Sequence, residues 1–280
     1  MPTILDTLKK GTEYLEKYQI EDARLNMELL IAHALKVERM QLYLDFDRPL
    51  NEGPLETLRE LTKRRSRGEP IQHLLGSVDF CDLEFKSDAR ALVPRPETEE
   101  LAAILTKPER HIPGRILDVG CGSGVLGLTL ANGFPEAEVI LSDVSPDALS
   151  LSKENAEQLG LLSRVHFIQS DLFESINGQF DLITANLPYI PNAEQTELSR
   201  EVHRDPSIAL YGGEIGTEII ERFLNEAPHF LRSGGHISIE FGIGQDKRLS
   251  DAAWDAGFEE VKTLKDLSGI DRFLFATKPA

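Results

Sequence analysis

The 280-residue sequence has two cysteines, Cys81 and Cys121, along with three methionines and one tryptophan. Two thiols are too few for a disulfide framework or a thiolate metal site, so no metal is expected and a reducing compartment suits the chain. Long apolar runs are also missing. Nothing approaches the roughly 18 apolar residues that span a bilayer, and the opening MPTILDTLKKG lacks the apolar stretch of a signal peptide. The expectation is a cytoplasmic protein with no membrane partner. Cations are in deficit: Lys and Arg number 30 against 47 Asp and Glu, a net charge of −17. That balance opposes sequence-independent capture of a phosphate backbone, so no direct nucleic-acid partner is expected. An apolar share of 41% excludes disordered and collagen-like classes, and the length suits one large domain or a large one with a small one.

Two composition regimes follow one another. The first eighty-odd residues read as helices, one through Leu5, Leu8, Tyr14, Leu15 and Tyr18 and a second through Leu25, Leu29, Leu30, Ala32, His33 and Leu35, with Asp22 as its candidate cap. A third begins after Asn51, carries Leu55, Leu58 and Leu61, and ends in KRRSRG, read as a solvated helix end. Short apolar stretches from Gly76 to Phe85 suggest a hairpin, and the proline-braced VPRPETE at 93–99 reads as the join between domains. From Gly114 strands alternate with helices, which predicts an α/β domain with a parallel sheet covered on both faces. Seven strands are expected, at 115–119, 138–142, 164–168, 180–185, 236–241, 258–264 and 272–277, with helices near 124–132, 146–158, 216–231 and 246–256.

Chemistry concentrates where these strands end. RILDV runs into GCGSG, residues Gly120, Cys121, Gly122, Ser123 and Gly124, and three glycines in five residues let a ligand approach the backbone. Gly122, Gly124 and Gly127 also satisfy the GxGxxG spacing of a dinucleotide loop, so a nicotinamide-dependent oxidoreductase is one alternative. Asp143 closes the second strand, where a carboxylate can accept both hydroxyls of a ribose or cap the next helix. Asp171, in QSDLF, can accept from an adenine amino group, with Leu172 or Phe173 covering the ring.

The sharpest signal is NLPY, Asn186 to Tyr189, after the strand FDLITA. Asn186 offers a carbonyl acceptor, Pro188 holds Leu187 extended, and Tyr189 offers a flat face, which together suit a planar NH₂ group. An amide or aryl amine nitrogen is a weak nucleophile because its lone pair is delocalised, whereas the methyl of a sulfonium is already activated. Orientation is then the main task, and two carbonyls, the Asn186 side chain and the Leu187 backbone, can accept the two N–H bonds and stabilise the developing positive charge.

With DARLNMELLIAHAL, GEPIQHLLGSVDFCDLEF, VPRPETE, LDVGCGSG, QSDLF, NLPYIP, ALYGGEIG and GIDRF in this order, the sequence resembles the PrmC/HemK family of peptide chain release factor glutamine methyltransferases over nearly its whole length. The resemblance implies a seven-stranded Rossmann-like class I methyltransferase domain (97–280), a helical substrate-docking domain (1–75), and a hairpin and linker between them (76–96). It implies methyl transfer from S-adenosyl-L-methionine to the side-chain amide nitrogen of the Gln in a release factor's GGQ motif. By position, Gly120 to Gly124, Asp143, Asp171, Leu172 and Asn186 would meet the cofactor. Asn186, Leu187, Pro188 and Tyr189 would hold the substrate, with Arg95 and Glu97 nearby. The family's usual motif is NPPY, and here Leu187 replaces the first proline. NLPY is also typical of adenine-N6 methyltransferases acting on RNA or DNA, which stands as the first alternative; a non-catalytic S-adenosylmethionine-binding protein is another.

Overall fold

The computed structural model describes residues 1–107 and 113–280, in two compact units: Met1–Ser77 with Ser199–Arg204, and Val78–Leu198 with Asp205–Ala280. No helix among the described residues is long and apolar enough to cross a membrane.

The first unit is helical. Helix α1 (Ile4–Lys17) starts in a capping box, where Thr3 and Asp6 each accept the other's backbone N–H, and buries Ile4, Leu8 and Leu15. Tyr14 and Tyr18, expected on its apolar face, are exposed and pack against each other instead. Helix α2 (Ala23–Leu35) buries Ala23, Met27, Leu30 and Ile31, while Leu25 and His33 face outward. Of the expected inner residues Leu30 and Ala32 are buried and Leu29 and Leu35 half-buried, while the nearly continuous apolar set hid that Met27 and Ile31 also face inward. Asp22 does occupy the N-cap position, but its side chain makes no capping bond and its backbone is left-handed. Helix α3 (Glu52–Arg65) buries Leu55, Leu58 and Leu61 as the spacing predicts, and a short α4 (Ile71–Leu75) follows. The basic run departs in part from the expectation of a solvated end, since Arg65, Ser66 and Gly68 are buried. Arg65 is buried, donating to Asn26 Oδ1 (2.6 Å), the Glu69 carbonyl (3.0 Å) and Glu201 Oε2 (2.6 Å). A buried guanidinium is tolerable when each of its nitrogens donates a hydrogen bond, as here.

The second unit opens with the hairpin β1 (Ser77–Phe80) and β2 (Leu83–Lys86). Phe80 and Phe85 meet edge to face and are buried in an apolar core of the unit, so from Val78 onward the hairpin is part of this unit. VPRPETE is more than a join. Helix α5 (Pro96–Leu105) begins inside it, with Pro96 at its first turn, where a missing N–H costs nothing.

Strands β3 (Arg115–Val119), β4 (Glu138–Asp143), β5 (Val165–Gln169), β6 (Phe180–Asn186), β9 (Leu231–Glu240), β10 (Glu259–Lys265) and β11 (Asp271–Thr277) form one seven-stranded sheet in the order β10-β11-β9-β6-β3-β4-β5. The pairings from β5 to β9 are parallel, while β11 runs antiparallel to β9 and β10 antiparallel to β11. The sheet is therefore mixed and not all parallel, because the short connection between β10 and β11 permits only antiparallel pairing. Side chains alternate across it: Ile116 and Leu182 join the core shared with α5 and α6 (Val125–Gly133), whereas Leu117 and Ile183 join that of α8 (Glu218–Phe230) and α9 (Asp246–Asp255). Helix α7 (Pro146–Gln158) follows β4. Two short strands, β7 (Ile190–Pro191) and β8 (Tyr211–Gly213), pair in parallel and bring NLPYIP and ALYGGEIG together. Gly212 makes this approach possible: a Cβ there would stand 2.2 Å from the Gly216 carbonyl and 2.5 Å from that of Pro188.

Candidate active site

A cleft of about 310 Å³ opens at the carboxyl ends of β3, β4 and β6, where the chain order of the sheet reverses and doubly wound folds bind ligands. Arg95, Gly120, Cys121, Gly122, Ser123, Asp143, Asp171, Leu172, Asn186, Leu187 and Pro188 all line it. Gly124, Tyr189 and Glu97 are not among the lining residues: Gly124 is the N-cap of α6, Glu97 lies in the first turn of α5, and Tyr189 turns toward the sheet.

At one end the glycine loop is held by backbone. The Cys121 N–H donates to the Ser142 carbonyl (2.9 Å), Gly122 N–H to Asp143 Oδ2 (2.8 Å) and Ser145 N–H to Asp143 Oδ1 (2.9 Å). Ser145, not Asp143, caps α7, its hydroxyl accepting from the Ala148 N–H. Gly120 has a φ of +69°, and a Cβ there would stand 2.9 Å from Leu187 Cδ2. The side chain that replaces the family's proline thus lies buried directly under the loop. Burial raises the Asp143 carboxyl above its ordinary range, partly offset by N–H bonds from Ser145, Gly122 and Val144. Burial also pushes the Cys121 thiol well up, which fits a small loop residue and not a nucleophile. Deeper, Asp118 accepts the Gly127 N–H (2.9 Å), and burial, together with the nearby Asp143, pushes it up to about 7 despite that bond.

Asp171 is exposed and paired with Arg222. Leu172 sits beside it with a φ of +45°, a conformation costly for leucine that turns the residue to the cleft. Phe173 instead stacks on Phe230 in the core, so of the two candidates for covering a ring only Leu172 is in place.

The other end is assembled from distant segments. The Asn186 Nδ2 donates to Thr98 Oγ1 (2.8 Å) and to Glu240 Oε2 (3.0 Å), and Thr98 Oγ1 donates to the same Oε2 (2.7 Å). That leaves Oδ1 as the accepting end of the Asn186 amide. The Tyr189 hydroxyl donates to Glu240 Oε1 (3.3 Å), and Gln245 Nε2 holds the Tyr189 carbonyl (2.9 Å). Burial pushes Glu240 up to about 7, with Thr98 lowering it, Glu97 raising it, and Arg272 and Tyr189 lowering it. Arg95 pairs with Asp205 (2.7 Å), which also accepts the Val93 N–H (3.2 Å). Thr98, Asp205 and Glu240 escaped the sequence reading. Thr98 lay inside the quoted VPRPETE and Glu240 near the end of the expected strand 236–241, but neither was singled out.

Residues 6–76 match the PrmC N-terminal domain, and residues 97–214 match the methyltransferase small domain. A release factor glutamine methyltransferase of Geobacter sulfurreducens is 38% identical over 96% of this chain and 95% of its own length, and that of Rhodopirellula baltica is 37% identical over 99% and 96%. The chain belongs to the release factor glutamine methyltransferase family. Solved structures add the fold. A Pyrococcus furiosus methyltransferase, at 19% identity, superimposes over 71% of this chain and 91% of its own with a TM-score of 0.55. A Thermus thermophilus 16S rRNA N2 G1207 methyltransferase in complex with AdoMet and guanosine, at 21% identity, covers 72% of this chain and 49% of its own with a TM-score of 0.51. The α/β class I methyltransferase fold expected from the sequence is thus the one present, and family membership displaces the oxidoreductase reading of the GxGxxG spacing.

Proposed function

We propose that this chain methylates the side-chain amide nitrogen of the glutamine in the GGQ motif of a peptide chain release factor, using S-adenosyl-L-methionine. One observation carries the reading beyond the family name. Asn186 lines the cleft with its NH₂ engaged by Thr98 and Glu240, so that its carbonyl is available to a planar donor. The residues present fit the cofactor: a loop offering backbone at Gly120 and Gly122, a carboxylate at Asp143 for ribose hydroxyls, and Leu172 as an apolar cover for a base. When bound there, S-adenosylmethionine supplies a methyl group already activated by its sulfonium.

The chain's own part is to orient. Asn186 Oδ1 and the Leu187 carbonyl accept the substrate's two N–H bonds, aim its nitrogen and favour the positive charge that develops on it, before a proton is released to solvent. Pro188 keeps Leu187 extended so that its carbonyl serves this purpose. Tyr189, turned to Glu240, braces the motif from the sheet side. The helical unit, Met1–Ser77 with Ser199–Arg204, is read as the surface that docks the intact release factor.

The test is incubation with methyl-labelled S-adenosylmethionine and either purified release factor or total RNA. Label in the protein is expected. Label confined to RNA would transfer the NLPY motif to the adenine-N6 reading.

A further inference from the structure

The function of Asn186 depends on which way round its amide lies, and the two ends of that amide are nearly the same shape. Oxygen outward gives the substrate an acceptor; nitrogen outward gives it a competing donor. Thr98 does not decide the matter, because a hydroxyl both donates and accepts.

Glu240 decides it. The parallel register of β6 and β9 sets Glu240 directly beside Asn186, and its carboxylate, which in the ionised form can only accept, is 1% exposed. Oε2 receives Asn186 Nδ2 at 3.0 Å and Thr98 Oγ1 at 2.7 Å, and Oε1 receives the Tyr189 hydroxyl at 3.3 Å. Reversing the Asn186 amide would set oxygen against oxygen at that same short distance. A buried acid at the end of a strand is destabilising unless it is met by donors, and here three donors from two segments, NLPY and α5, meet it. Glu240 does not itself line the cleft, whereas Thr98 and Asn186 do.

We propose that Glu240, together with Thr98, is a positioning residue that locks the Asn186 amide with its carbonyl toward the substrate. The proposal rests on the glutamine-methylation reading for its consequence, but its geometry stands apart from it.

The test uses the full chain carrying Glu240→Met, which keeps the length of the side chain and removes the acceptor, and Glu240→Gln, which can present its oxygen to Asn186 and Thr98 and its NH₂ to the Tyr189 hydroxyl. In Glu240→Met, kcat on release factor is expected to fall by about 30-fold or more, with the cofactor Kd within about threefold of wild type. Glu240→Gln should recover kcat to within roughly fivefold of wild type. A folded Glu240→Met chain with an unchanged kcat would overturn the proposal.

The Asn186 side-chain amide resonances, assigned by their loss in Asn186→Asp, give a readout independent of substrate. Two separated, slowly exchanging protons are expected in wild type and Glu240→Gln, collapsing to a solvent-like pair in Glu240→Met; identical resonances in all three overturn the proposal even if wild type fails to methylate a release factor. Should Glu240→Met not fold, Thr98→Val takes its place. Loosened Asn186 resonances support the lock and unchanged ones contradict it.

Discussion

The two ends of the cleft are built in opposite ways. The glycine-loop end is largely local: Gly120 to Gly124 follow β3 without a break, and Asp143, which accepts the Gly122 N–H, ends the neighbouring strand. The NLPY end is a meeting of remote segments. Asn186 reaches Thr98 across 88 positions and Glu240 across 54, and the backbone around Pro188 is flanked by Gly212 and Gly216. A binding loop can therefore be written in one stretch of chain, whereas a group that must be held in one of two nearly identical orientations draws its constraints from several elements.

Separating the two ends by mutation sharpens that contrast. Asn186→Ala should give the largest effect, cutting single-turnover methyl transfer by about a hundredfold or more while cofactor affinity stays within about tenfold. Retained turnover would remove Asn186 from the mechanism. Asp143→Ala should do the reverse, weakening cofactor binding in calorimetry by about 10- to 150-fold through loss of roughly 1.5–3 kcal/mol of charge-assisted hydrogen bonds. An unchanged affinity would reduce Asp143 to its bonds with Gly122 and Ser145.

Next in size comes Gly212→Ala. Its Cβ would meet two carbonyls, one of them that of Pro188, so turnover should fall by about tenfold or more while cofactor affinity holds. A matching loss of cofactor affinity would show that the two ends are not separable. Leu187→Pro should have the smallest effect on rate, within roughly threefold, since the carbonyl remains and an extended residue before Pro188 already suits a proline. Its cost should appear in stability, because the buried Leu187 side chain packs beneath Gly120. Full stability in Leu187→Pro would contradict that packing role.

The buried acids make a pH prediction. Asp118 and Glu240 are both pushed up to about 7, above the ordinary carboxylate value near 4 of an unfolded chain. Between these values the folded chain holds protons that the unfolded chain has lost, so stability should fall as pH rises from about 5 through 7 and level off above about 8. Denaturant midpoints across this range check it. Glu240→Gln should flatten part of the slope, and an equally steep slope would assign it elsewhere.

How much could be read beforehand follows the same division. All seven sheet strands, the helices around them other than α5, and every residue of the glycine loop lie in continuous stretches whose pattern is local. The antiparallel pairing of β10 and β11 was missed although the expected strands 258–264 and 272–277 leave only residues 265–271 between them, too few for a parallel crossover. In the helical unit the nearly continuous apolar content of α2 hid part of its inner face, and the burial of Arg65 depends on Glu201, far along the chain. At the site, Thr98 looked like part of a linker and Glu240 like the end of a strand. Both acquire a role only through the register of β6 against β9 and the start of α5 inside VPRPETE.

The most direct measurement locates the methyl group. Wild type and Asn186→Ala are incubated with S-adenosylmethionine and intact release factor, and the peptide containing GGQ is sequenced by tandem mass spectrometry. The expected result is a single added methyl on the glutamine side chain with wild type and almost none with Asn186→Ala. A methyl on any other residue, or the same yield from both proteins, would contradict the account.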